Sequence, residues 1–69
     1  MQKLVLRGEY ITLGQLLKAQ GLVESGSEAR EVIQGGEASV NGETDLRRGR
    51  KLYDGDRVSF RGVETSVVR

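Results

Sequence analysis

The sequence contains no cysteine, so it has neither a disulfide framework nor thiol chemistry. It contains no histidine, which removes the commonest general base and the commonest zinc ligand. Tryptophan and proline are absent, and the aromatic residues are two tyrosines and one phenylalanine. Long apolar runs are missing as well. The longest aliphatic stretch, Leu4-Val5-Leu6, falls far short of the roughly 20 residues that cross a bilayer. Nothing near the N-terminus has the apolar length of a signal peptide, so a soluble cytoplasmic protein is the default expectation. At 69 residues the chain has room for one small domain, expected to span 1–69. There is also little charge of one sign, the formal net charge being +1, so a simple appeal to overall basicity fails.

The charges are nevertheless segregated. Residues 24–45 hold Glu24, Glu28, Glu31, Glu37, Glu43 and Asp45 against Arg30 alone. Residues 46–69 hold six arginines and Lys51 against Asp54, Asp56 and Glu64. Such a division can build a two-signed surface whose positive side attracts polyanions.

Local patterns give a strand at Gln2 to Leu6, with Leu4 and Leu6 on one face, and a turn at Arg7-Gly8-Glu9. Thr12 and Gln15 have capping-box spacing, and Leu13, Leu16 and Leu17 follow at helical intervals, predicting a helix over about 12–20 with Gly21 as its left-handed stop. Ser25 and Glu28 repeat the capping-box pattern, followed by Ala29, Val32 and Ile33 and a stop at Gly35-Gly36. Both apolar stripes are narrow, so the helices require a partner on which to pack. Ala38-Ser39-Val40 runs into Asn41-Gly42, a strong hairpin signal. Asp54-Gly55 and Gly62 mark further turns, Val58 and Phe60 alternate inward between them, and Val63 to Val68 forms a last strand. The order predicts an α+β domain with two short helices packed on a small, mostly antiparallel sheet.

The densest chemical feature is Arg47-Arg48-Gly49-Arg50-Lys51. Arginine's planar fork matches phosphate oxygens, and Gly49 allows a tight turn that splays the cations. The competing explanation is a solvated loop balancing the acids of the second helix. Arg30 is either a phosphate contact or an intrahelical partner of nearby glutamates, the latter worth only about 0.3–0.5 kcal/mol. Lys18 is either a flanking contact or a cation favouring the negative end of the first helix. Tyr53 either stacks on a base or packs over the adjacent loop, while Phe60 belongs to the core. Asp54 and Asp56 flank a glycine and read as turn formers. No Walker loop, dinucleotide fingerprint or calcium loop is present, and no nucleophile, base and oxyanion donors assemble. No metal, cofactor or small-molecule substrate is therefore expected.

Gly21-Leu22, Ser25, Ala29-Arg30, Ile33, Gly36, Val40-Asn41-Gly42 and Gly55-Asp56-x-Val58 follow one another in order. Together, over about residues 10–61, they resemble the RNA-binding domain named after small-subunit ribosomal protein S-four, the αL motif. The run Arg47-Arg48-Gly49-Arg50-Lys51-Leu52 is similar to the YaaA/YbcJ branch of small stand-alone bacterial members. The resemblance implies two helices on a small sheet whose exposed face, with the adjoining loop, binds structured RNA, typically ribosomal. It places Arg30 at the family's basic position on the second helix and Arg47, Arg48, Arg50 and Lys51 in the basic loop, with Lys18 on the flank. Two positions depart from the pattern. Thr12-Leu13-Gly14 stands where many members have Arg-Leu-Asp, and Gly26 follows the serine where many have Arg.

The expectation is a non-enzymatic, monomeric RNA-binding module that touches phosphates through Lys18, Arg30, Arg47, Arg48, Arg50 and Lys51. The alternative is a protein–protein adaptor that presents the acidic 24–45 segment to a basic partner, its basic loop only balancing charge. An enzyme is the third reading, opposed by the missing histidine and cysteine.

Overall fold

Alternation shapes the longer strands and end-capping the helices of the computed structural model, which describes residues 2–69. In chain order the elements are β1 (Gln2–Val5), β2 (Ile11–Thr12), α1 (Leu13–Ala19), α2 (Gly26–Gln34), β3 (Ala38–Val40), β4 (Glu43–Thr44), β5 (Lys51–Leu52), β6 (Arg57–Phe60) and β7 (Val63–Val68). The larger sheet has the order β1-β7-β6-β3-β4. Its pairings are antiparallel except that of β1 with β7, which is parallel. A second, two-stranded sheet pairs β2 with β5, setting Ile11 against Leu52 and Thr12 against Lys51.

Helix α1 starts at a complete capping box. The Gln15 N–H donates to Thr12 Oγ1 at 3.3 Å, and the Thr12 N–H donates to Gln15 Oε1 at 3.0 Å. Helix α2 starts on Ser25, whose hydroxyl accepts the Glu28 N–H at 3.1 Å. The expected reciprocal bond is displaced by one residue, since Glu28 Oε1 accepts from the Glu24 N–H at 2.8 Å. The acid still stands in the first turn, where its charge favours the helix dipole. At the β3–β4 hairpin Asn41 and Gly42 have φ of 51° and 88°. Both central residues are left-handed, as a turn matched to strand twist requires, and Asn and Gly are the residues that tolerate it.

The core lies between the helices and one face of the larger sheet. Leu13, Leu16 and Leu17 of α1 and Ala29, Val32 and Ile33 of α2 are buried against Ala38, Val40, Val58, Phe60 and Val67. Leu52 of β5 is also fully buried and fastens the small sheet to this core. Strand β6 alternates as expected, with Val58 and Phe60 inward and Arg57 exposed. Among the described residues one buried side-chain polar atom has no hydrogen-bond partner, the Thr65 hydroxyl on β7. Among the described residues no helix is long and apolar enough to cross a membrane.

Candidate nucleic-acid interface

The small sheet places the basic loop. Beyond the β2–β5 pair, the first N–H groups of α1 donate to the loop: Leu13 N–H to the Arg50 carbonyl at 2.8 Å and Gly14 N–H to the Arg48 carbonyl at 3.0 Å. The amides left unpaired by helix geometry are thus used to dock residues 48–50 on the start of α1. This attachment fixes the Arg48 backbone beside the two helices.

Gly14 lets the Arg48 side chain lie across the helix. A Cβ at position 14 would sit 2.6 Å from Arg48 Cγ and 3.3 Å from Cδ, well inside the ordinary carbon–carbon separation of about 3.5–4.0 Å. Arg48 then borders two adjoining grooves. One, of about 400 Å³, runs between α1, α2 and the loop, and its walls include Gly14, Lys18, Gly26, Ala29 and Arg48. The other, of about 330 Å³, is bordered by Ser27, Arg30, Glu31, Gln34 and Arg48. The structure therefore brings Lys18, Arg30 and Arg48 to one side, from three different segments of chain. Among the described residues none of these three cations makes an ion pair, so the competing intrahelical pairing of Arg30 with a glutamate is not formed. Glu31 is the one acid at the rim of this side.

The other cations of the loop are engaged differently. Asp45, only 6% exposed, receives the Arg47 guanidinium in a bidentate pair (Nε to Oδ1 3.1 Å, Nη2 to Oδ2 2.9 Å) and the Arg47 backbone N–H at 2.9 Å. Arg50 Nη1 donates to the same carboxylate at 2.7 Å. The Arg47 guanidinium, opposed by desolvation and aided by the Arg47 amide and Arg50, holds the Asp45 carboxyl well below the usual carboxylate range. Asp45 in turn raises the pKa of Arg47. Arg47 remains 70% exposed and can still face a ligand, whereas Arg50 is 31% exposed and acts as a brace within the loop. Lys51 extends its Nζ to 4.9 Å from the centre of the Tyr10 ring.

Among the described residues no ion pair of the kind the competing explanation would require joins the loop to the acids of the second helix. The loop is balanced by its own neighbour Asp45, and the one helix-distal acid in a pair, Glu37, binds Arg61 of the β6–β7 turn at 2.7 Å. Sequence reasoning missed Asp45 and Gly14. An aspartate two residues before an arginine can bond that residue's N–H, which was a readable signal for Asp45. A glycine in the first turn of a helix, where better helix formers are available, was a readable signal for close approach at Gly14. Asp56 acts as a turn former, its Oδ2 accepting the Tyr53 N–H at 2.7 Å, whereas Asp54 Oδ1 accepts the Arg69 N–H at 3.1 Å and so ties a distant segment to this turn. Among the described residues no group of three or more acidic side chains is arranged to hold a metal ion.

Comparison with known proteins matches residues 4–68 to the family model described as "S4 domain". The chain is 50% identical over 60 residues to the "Probable ribosome maturation protein RlbA" of Bacillus subtilis, covering 87% of this chain and 84% of that one. It is 37% identical over 59 residues to the "Putative RNA-binding protein YbcJ" of Escherichia coli, covering 86% and 84%. The solution structure of YbcJ, described as revealing an αL motif involved in RNA binding, superposes with a TM-score of 0.76 at 34% identity. That superposition covers 100% of this chain and 89% of the other.

Proposed function

This chain belongs to the S4 domain family, and we propose that it is a non-catalytic RNA-binding module that grips structured RNA, ribosomal RNA foremost, by its phosphates in the cytoplasm. The observation that carries this reading is the position of Arg48, shared by two grooves and flanked by Lys18 and Arg30, with no carboxylate among the described residues paired to any of them. Arg47, exposed on the same loop, and Lys51, beside Tyr10, are the further cations this reading assigns to phosphate, and Arg50, held by Asp45, keeps the loop in shape. The names of the relatives point the same way, one to RNA binding and one to ribosome maturation.

The arrangement suits duplex RNA. An A-form helix hides its base edges in a deep groove and offers phosphates and 2′-hydroxyls, so recognition falls to shape and charge. Cations from two helices and one docked loop share one side of the molecule, and the guanidinium groups can each bind phosphate through two parallel bonds. With Lys18, Arg30, Arg47 and Arg48 each touching a phosphate, the slope of log affinity against log salt comes to about −3.

The test is a titration of a ribosomal RNA hairpin at several salt concentrations with the parent and a Lys18→Ala, Arg30→Ala, Arg48→Ala triple variant. The variant should keep its circular dichroism spectrum, bind far more weakly and show a slope nearer −1. Equal binding by parent and variant refutes the assignment. A salt-resistant complex with a protein and no retention of RNA would favour the adaptor reading instead.

A further inference from the structure

We infer that Tyr10 and Tyr53, together with Lys51, form a stacking site for one unpaired nucleobase beside the duplex-gripping surface; this rests on the RNA-binding reading above and adds to it a single-stranded element. Of the three aromatic residues, Phe60 is committed to the core at 2% exposure, while Tyr10 and Tyr53 are 44% and 49% exposed. The two exposed rings are neighbours, with centroids 6.0 Å apart.

The small sheet explains why they meet. Ile11 pairs with Leu52, so the residues on either side of that pair, Tyr10 and Tyr53, come opposite one another. Leu52 points into the core with no exposure, and strand alternation sends Lys51 and Tyr53 to the outer face. The ring planes meet at 52°, so the tyrosines form an open wedge and do not cover each other face to face. Lys51 Nζ lies over one face of the Tyr10 ring, 4.9 Å from its centroid, so a base stacks on Tyr53 and the edge of Tyr10 with this cation beside it to meet its phosphate.

The partner chemistry follows from what adjoins the wedge. Arg48 and Tyr53 are five residues apart, so the wedge lies within about 17 Å of the groove junction along the chain. A strand leaving a duplex gripped at Arg48 can run past Lys51 to the tyrosines. Every base offers a π-face to such a platform whatever its identity, and unstacked bases are what single-stranded RNA presents. The wedge therefore favours RNA with a loop or tail next to its helix over a fully paired helix.

The chain has two tyrosines and no tryptophan, so its tyrosine emission reports on this site alone. The experiment compares a blunt RNA hairpin with the same hairpin carrying a three-nucleotide single-stranded tail. The tail should raise the parent's affinity about tenfold and quench tyrosine emission. Tyr53→Ala should bring affinity for the tailed hairpin down to that for the blunt one, and Tyr53→Phe should restore the difference. As a control on folding, Tyr53→Ala should keep the parent's circular dichroism spectrum, and in the parent the ring protons of both tyrosines should shift on adding a single-stranded tetranucleotide. If the blunt hairpin binds and the tail changes neither affinity nor emission, the stacking site is overturned while the phosphate surface stands. If neither hairpin binds, both fail.

Discussion

Replacing Gly14 with alanine tests whether the position of Arg48, and not merely its charge, governs binding. The added methyl would stand 2.6 Å from Arg48 Cγ, about 1 Å closer than carbon atoms ordinarily approach. The Arg48 backbone cannot retreat easily, because its carbonyl accepts the Gly14 N–H at 3.0 Å. The side chain is exposed and can swing aside, so the strain is relieved by moving the guanidinium away from the junction of the grooves. Stability should change little. Alanine gains up to about 1 kcal/mol of helix propensity over glycine, and the crowding of a mobile side chain offsets part of that. Affinity for a structured RNA should fall about tenfold, the equivalent of about 1.4 kcal/mol for one displaced charged hydrogen bond. The salt slope should become shallower by somewhat less than one. The assay is fluorescence anisotropy with a labelled hairpin over a salt series, with thermal melts of each variant. Arg48→Ala and the Gly14→Ala, Arg48→Ala double variant complete a cycle, and the double variant should bind no worse than Arg48→Ala alone. Fully additive losses, or a Gly14→Ala protein that binds like the parent, would show that Arg48 does not depend on Gly14 for its place at the grooves.

Three further outcomes follow from the same structure. Asp45→Asn should destabilise the fold by about 1–3 kcal/mol at pH 7, because the bidentate pair with Arg47 and the bond to Arg50 lose their charge. The Asp45 pKa is depressed in the folded state, so its stabilisation is present above about pH 4 and is lost as pH falls through the lower folded value; urea melts should show the gap between parent and variant closing in strong acid. Thr65→Val should stabilise by about 1 kcal/mol, seen as a higher urea midpoint at unchanged slope, because it removes a buried hydroxyl that has no partner. Thr12→Val should cost about 1 kcal/mol through the lost cap, and hydrogen exchange at Leu13 and Gly14 should quicken as the docked loop loosens.

The sequence carried the elements that depend on local chemistry. Both helix caps, the Asn41-Gly42 hairpin and the limits of β7 were legible because each is set by neighbours a few residues apart. The parallel pairing of β1 with β7 was not, since four alternating residues say which side faces inward but not which strand lies alongside. Strands β2 and β5 have two residues each, too few for a period to emerge, yet their pairing sets the basic loop on α1 and brings Tyr10 to Tyr53. The cation cluster at 47–51 was plain in the sequence. Its division was not, because Asp45 takes Arg47 and Arg50 through a geometry that only the folded loop defines, while Arg48 is turned toward Lys18 and Arg30 by the docking bonds to Leu13 and Gly14.

The most direct test of the binding surface is an NMR titration with a ribosomal RNA hairpin at physiological salt, following backbone amides and the arginine Nε–H groups. Perturbations centred on Lys18, Arg30 and Arg48, with the Lys3, Ser59 and Glu64 face of the larger sheet unaffected, are the expected result. Perturbations confined to that sheet face, with the Nε–H groups of Arg30 and Arg48 unmoved, would contradict it.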